Sequence, residues 1–488
     1  MKTITVCLRP AAAGAALLCA ALGVQAATLL VTSRDAEGVG FNDTTPVDPV
    51  GGNAGTTLGE QRMNVYQHVA GLWGAALQSD VTITVSAGWE ALSCSSSTAV
   101  LGSASSWNFW HGFSGGKTDT WYPQALANKL AGVNLSEGNP DDGTGYGNVD
   151  IKTQFNVNLG KQGCLDGSGF YLGLDGNTGG KVNFMTTLLH EIGHGLGFSI
   201  GTTNASTGRR VNAAGTAYSE TGLPSIWEGF MYDHTLGKTW LETGSSAERK
   251  ASAINTNKLV WNGAITVGEA AETLAYPPSL QISSPAQQMG TFFAYGTASF
   301  GAALSTPMNL GLVADTASQA CAAFAADSLR GRVAIVDRGS CNFAAKAKAV
   351  QEAGGVGAII VNNAAGSAPG LGGSDSTVVI PTVSLSQADG ATLRSMVSAA
   401  VKYGSRKMPG LVNAATAFDS SGNKAGADAS GRPLLYTPNP YSGGSSVSHW
   451  DVSAYPNLLM EPFISADLTT QLSKPYDLTL PLLKDLGW

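Results

Sequence analysis

The sequence predicts a mixed α+β protein of two or three domains, one of them set inside another. Three observations predict it. At 488 residues the chain is too long for one ordinary domain. A hydrophobic content of 43 % supplies sizeable cores and excludes a disordered chain. Segments of helical spacing stand among segments of strand alternation, with no internal repeat. The net charge of −7 and the pI of about 5.4 exclude a nucleic-acid binder, which needs a basic face to displace counterions.

The first 26 residues read as a signal peptide. Lys2 and Arg9 give a basic start, Ala11 to Val24 is a short apolar run, and Val24-Gln25-Ala26 is a small-x-small cleavage site. The run is about 14 residues, too short to span a bilayer, and no other run approaches that length. The expectation is a secreted or periplasmic protein, cleaved near Ala26-Ala27. Export makes disulfides permissible. Once Cys7 and Cys19 leave with the leader, four cysteines remain and allow three pairings. Cys94 with Cys164 and Cys321 with Cys341 is the pairing that keeps each bridge inside one domain. The second would close a loop of about 20 residues, worth roughly 3 kcal/mol in the chain-entropy account.

Residues 59–77 form an amphipathic pattern through Val65, Val69, Leu72, Trp73, Ala76 and Leu77, with His68 beside the stripe as a partly exposed histidine. Val81 to Val85 and Asp150 to Asn158 alternate as strands. Residues 93–148, rich in Gly, Ser, Asn and Trp, read as long loops. His111 lies there among Trp107, Phe109 and Trp110, as part of a packed aromatic loop. Asp141-Asp142-Gly143 and Asp175-Gly176-Asn177 offer oxygen ligands for calcium but lack EF-hand spacing, so calcium is unsupported and both read as turns.

The chemistry concentrates at His190-Glu191-Ile192-Gly193-His194. Met185, Leu189, Ile192 and Leu196 form one apolar stripe, so the motif sits on a buried helix that Asn183 can cap and Gly195 or Gly197 can end. Residues four apart project from one helix face, so His190 and His194 can bind one Zn²⁺ at about 2.0–2.1 Å. Glu191 is placed to take a proton from water activated by that ion. A third ligand is wanted. Among the remaining imidazoles, His234 is nearer in sequence, within Asp233-His234-Thr235. His449 requires the chain to return after residues 198–448, at an entropic cost that grows only logarithmically. A carboxylate, Glu220 or Glu228, is the alternative known from glutamate-ligand zinc peptidases.

The stretch resembles the metzincin zinc peptidases, whose pattern is His-Glu-x-x-His-x-x-Gly-x-x-His/Asp. His190, Glu191, His194 and Gly197 match, and Ile200 departs where the third ligand usually stands. Leishmanolysin-like metzincins supply that histidine much later, in Ser-His-Trp followed by the Met of a Met-turn. Ser448-His449-Trp450 and Met460, 11 residues after His449, match in identity and spacing. The resemblance therefore implies His190, His194 and His449 as zinc ligands, Glu191 as general base and Met460 as packing beneath the metal. It also implies a metzincin-like fold of active-site helix, twisted sheet and Met-turn, acting on protein or peptide substrates. The strand Asp150 to Asn158 would be the edge that pairs with an extended substrate. A non-catalytic binding or adhesion protein with a structural zinc is the competing class. It has no need of a carboxylate beside its first ligand.

The interruption itself looks folded. Val333 to Val336 and Val356 to Val361 read as buried strands, Asn342 to Ala353 as a helix capped by Asn342, Val378 to Leu385 as a strand, and Ser386 as the cap of a helix to Val397. Asp337-Arg338-Gly339-Ser340-Cys341-Asn342-Phe343 and Asn362-Asn363 resemble the protease-associated (PA) domain, a module that by resemblance binds protein or shapes access to a neighbouring site. The implied organisation is a catalytic domain split into 27–277 and 404–488 by a PA-like domain at 278–403.

Overall fold

The computed structural model describes residues 25–138, 147–302, 309–403, 406–409, 412–418, 423–465 and 467–488. Residues 1–24 of the expected leader, and Asp141-Asp142-Gly143, lie outside them. The remainder is a mixed α/β protein. One apolar core joins residues 27–274 to residues 427–486, while residues 280–414 build two further cores.

The N-terminal sheet has four strands, β1 (Leu29–Ser33), β2 (Ile83–Glu90), β3 (Gly102–Ser106) and β4 (Ile151–Asn156), in the order β1-β2-β4-β3. β1, β2 and β4 run parallel, and β3 is antiparallel to β4. The apolar run of β2 is buried on both faces, as a parallel strand should be. The helix α1 (Leu58–Ala76) covers the sheet through Val65, Tyr66, Val69 and Trp73. Its start is closed by a reciprocal pair: Glu60 N–H donates to Thr57 Oγ1 and Thr57 N–H to the Glu60 carboxylate, each at 3.2 Å. His68 is exposed on its outer side.

Two expectations change here. The segment 93–148 is not only loop: it contains β3, a two-residue ladder between Phe109–Trp110 and Tyr122–Pro123, and the helix α2 (Gln124–Ala131). Gly-Ser-Ala-Ser-Ser carries no β-branched signal, so β3 exists through its pairing with β4. Pro123 before α2 and Gly132 after it, at φ +70°, were available as stop signals. The second change concerns the edge. β4 lies between β2 and β3, so the sheet's two edges are β1 and β3, and β3 is the edge beside α3.

The helix α3 (Phe184–Leu196) is capped by Asn183, whose side chain accepts from Met185 N at 3.0 Å and Thr186 N at 3.4 Å. It stops at Gly197, held at φ +120°. Gly195 does not end it but lies inside it, where a Cβ would stand 2.2 Å from Ile151 Cγ2 on β4. The missing side chain lets α3 lie directly on the sheet.

The inserted region is an eight-stranded sheet in the order Phe292–Ala294, Pro278–Ser284, Asn413–Phe418, Asn309–Asp315, Arg332–Asp337, Gly357–Val361, Thr382–Leu385, Gly296–Thr297. Its last four long strands are parallel. The helices Phe343–Glu352 and Gln387–Ser398 belong to the same region. Ser386 caps the second, accepting from Asp389 N at 3.0 Å, whereas Asn342 occupies the cap position of the first without a side-chain bond. Asn413–Phe418 pairs with Pro278–Ser284, so the inserted sheet extends past the expected boundary at 403. Disulfides join Cys94 to Cys164 and Cys321 to Cys341. Lys346, fully buried, donates to Gln319 O at 2.6 Å and lies 3.4 and 3.3 Å from the two sulfurs of the second bridge.

The contact at Gly195 generates a test. Alanine is the better helix former by about 1 kcal/mol, yet its methyl has no room against the branched Ile151. Gly195→Ala is expected to lower stability by about 1–3 kcal/mol, the usual cost of overpacking, read as a drop in the urea midpoint. A stabilised variant would show that α3 is free to move off β4.

Candidate metal centre

Two ligand candidates come from α3 and the third from the far end of the chain. His190 and His194 lie one turn apart, and His449 returns to face them. The His194 Nε2 is 3.0 Å from His190 Nε2 and 3.2 Å from His449 Nε2. Every other ring nitrogen is tied to a main-chain carbonyl. His190 Nδ1 donates to Leu459 O at 2.7 Å, His194 Nδ1 to Phe198 O at 2.7 Å, and His449 Nδ1 to Ser445 O at 2.8 Å. A carbonyl accepts only, so each Nδ1 carries the proton and each Nε2 is left as a bare lone pair. Three lone pairs at this spacing repel unless a cation lies among them. A tetrahedral ion at 2.0–2.1 Å requires donors about 3.3 Å apart, close to the separations found. Among the described residues this is the one group of three such side chains able to share a metal.

Burial strengthens the preference for neutral imidazole. It pulls the His190 pKa down to about 4, and with the neighbouring His190 it pulls His194 down to about 3. His449 falls well below its ordinary value, by burial and then by the other two rings. His194 is the most open of the three; the others are 6 % and 5 % exposed.

Glu191 is buried beside the cluster. Burial raises its pKa to about 8 in the absence of a cation, opposed by a hydrogen bond from the Ala104 backbone N–H on β3. The same carboxylate thus touches both the helix that carries two imidazoles and the outer strand of the sheet. Met460 is fully buried and lies under α3 at Gly193, where a Cβ would come within 2.9 Å of its Sδ. Its carbonyl accepts from Trp450 N at 2.8 Å, and its neighbour Leu459 supplies the carbonyl for His190.

The other candidates are elsewhere. His234 pairs with Asp428 at 2.9 Å. His111 donates toward Ala213 O at 2.8 Å and packs edge-on against Trp121, not among Trp107, Phe109 and Trp110 alone. Glu220 pairs with Arg209, and the fully buried Glu228 is held by Arg210 and Thr203. Asp175 accepts from Asn177 N at 3.0 Å and Tyr171 Oη at 2.6 Å, forming the turn read from the sequence. Sequence reasoning missed Leu459, Phe198, Ser445 and Ala104, which act through backbone atoms and leave no residue-type signal.

A family model for the PA domain matches residues 308–393. Among relatives, leucine aminopeptidase 2 of Arthroderma otae is 40 % identical over 73 residues, covering 15 % of this chain and 14 % of that protein. The PII-type proteinase of Lacticaseibacillus paracasei is 31 % identical over 191 residues, 38 % of this chain and 9 % of that protein. The zinc aminopeptidase BSAP from Bacillus subtilis aligns in structure at TM-score 0.21 and 17 % identity, covering 32 % of this chain and 35 % of that one. The chain thus spans a small part of each relative's length, and a PA domain lies within its inserted sheet.

The tautomers and depressed pKa values are measurable without metal. A group that gains charge on protonation, with its pKa lowered to about 4, stays neutral at every pH above that value. In the metal-free protein at pH 6, nitrogen NMR is expected to show His190, His194 and His449 neutral with the proton on Nδ1. An imidazolium signal from the cluster at pH 6 would contradict the geometry.

Proposed function

We propose that the chain is an exported zinc metalloendopeptidase, a metzincin related to the leishmanolysin-like group, with its catalytic domain split by a PA domain. The observation that carries this reading is the meeting of three neutral imidazoles beside Glu191, on a His-Glu-x-x-His helix underlain by Met460. The catalytic parts are residues 27–277 and the segment from about 419 to 488, with the strand Asn413–Phe418 given to the inserted module. The reading includes export, with the leader removed near Ala26-Ala27; the two disulfides support it, and no described helix is long and apolar enough to cross a membrane.

Zinc held by His190, His194 and His449 would supply Lewis acidity and lower the pKa of water. The chain's own residues do the rest. Each Nδ1–carbonyl bond fixes an imidazole plane before any substrate arrives. Glu191, brought back to its carboxylate form by the nearby cation, accepts a proton at a carboxylate oxygen and returns it to the leaving amine. An extended peptide would add to the free side of β3, whose Ala104 amide already contacts Glu191. Calcium has no part in this reading.

The names of the relatives favour a second reading, an aminopeptidase. Those similarities cover a small share of each relative, and a shared module does not transfer a reaction. The two readings separate on substrate. An internally quenched peptide blocked at its N-terminus should be cleaved, and a leucine amide should not. The reverse pattern would favour the aminopeptidase.

Two variants test the assigned roles. Glu191→Gln should retain one zinc per chain and lose about 10²–10⁴-fold in turnover, since an amide cannot accept the proton. His449→Ala should lose zinc and activity together, while His234→Ala keeps both. Chelation should abolish cleavage and added zinc restore it. A Glu191→Gln protein of near-normal turnover would refute the general-base role of Glu191.

A further inference from the structure

The residues on either side of His449 grip the loop that follows α3. Ser448 is 7 % exposed, and its Oγ accepts from Ile200 N–H at 3.2 Å. Trp450 is buried with its ring 5.2 Å from that of Phe198, at 79° between planes. Phe198 is also held from the other side by Trp227, at 5.1 Å. The Trp450 indole N–H finds no acceptor among the described residues, so this side chain contributes ring area and not a hydrogen bond. Phe198 is the residue whose carbonyl accepts the hydrogen bond from His194 Nδ1–H. Ile200 stands where a compact metzincin motif would place its third ligand.

We infer that Ser448 and Trp450 are positioning residues for His194, clamping residues 198–200 so that the Phe198 carbonyl holds that imidazole toward the metal. The late segment therefore delivers one ligand and fixes the orientation of another contributed far earlier in the chain. His449 faces the cluster, while its neighbours Ser448 and Trp450 contact Ile200 and Phe198 of the loop. The arrangement also places a hydrogen-bonded contact, Ser448 to Ile200, at the position vacated by a ligand.

This inference rests on the proposed metal site and goes beyond it, because it assigns work to residues that touch neither metal nor substrate. The test is zinc affinity of the full mature chain by chelator competition, alongside nitrogen NMR of His194 in the metal-free protein. Ser448→Ala should weaken zinc binding by up to about 10–100-fold, the range set by loss of the outer-shell partner itself, here the Phe198 carbonyl that Ser448 holds through Ile200. The His194 signal should show mixed tautomers. Ser448→Thr, which keeps an Oγ acceptor, should restore both. Trp450→Phe should fall between, and supplies the test if Ser448→Ala does not fold. A purely structural role predicts lower urea stability with wild-type zinc affinity and an unchanged His194 signal, and that result overturns the clamp while leaving the metal site intact. A wild-type chain that binds no zinc overturns both.

Discussion

The half of the protein that carries the three histidines answers to one electrostatic constraint: His194 Nε2 is held 3.0 and 3.2 Å from two other imidazole nitrogens with no proton between them. Such a cluster is repulsive by itself, and folding must force it. The force comes from three carbonyls, each belonging to a different piece of chain. Phe198 closes α3, Ser445 precedes the third ligand, and Leu459 lies on the turn under the helix. Each bond is a modest contribution of about 0.5–1.5 kcal/mol. Their importance lies in removing the alternative tautomer, so that the cluster is ready for a cation before one arrives. The glycines of α3 serve the same end. Gly193 lets Met460 reach the helix, and Gly195 lets the helix reach β4.

Much of this was legible in the sequence, for a specific reason. The first two histidines of the cluster are local, so helical periodicity alone places His190 and His194 on one face. That His449 joins them was legible only by resemblance, through the spacing of Ser448-His449-Trp450 and Met460, because nothing local distinguishes His449 from His234. α1, α3 and the strands Arg332–Asp337 and Gly357–Val361 announced themselves by apolar pattern. β3 did not: five small residues carry no pattern, and the strand exists because β4 offers an unpaired side. The same omission made β4 read as the free edge. Gly195 was misread as a helix stop, because sequence shows a glycine's freedom but not the neighbour that needs its missing side chain.

Buried carboxylates show how the site's surroundings are tuned. Asp477 accepts from Leu459 N and Thr479 N, and Glu461 from Leu458 N, all within or beside the turn that carries Met460. Burial pushes both carboxyls above their usual range. These groups stiffen the backbone whose Leu459 carbonyl orients His190. The turn is therefore fixed from below by carboxylates and from above by an imidazole, with the thioether filling the space between.

The strands that open and close the inserted sheet are hydrogen-bonded neighbours, Pro278 opposite Phe418. At its other extreme the sheet returns on itself, since its two outermost strands, Phe292–Ala294 and Gly296–Thr297, are separated in the chain by Tyr295 alone. The path that enters the inserted sheet at Pro278 comes back at Phe418 within one strand spacing, roughly 5 Å. For the host, more than a hundred residues have the topology of a hairpin bend. The inserted sheet shares no strand with the sheets of the half that carries the three histidines. The late histidine depends on the contacts of its own segment, at Ser445, Ile200 and Phe198, and not on the length of the excursion.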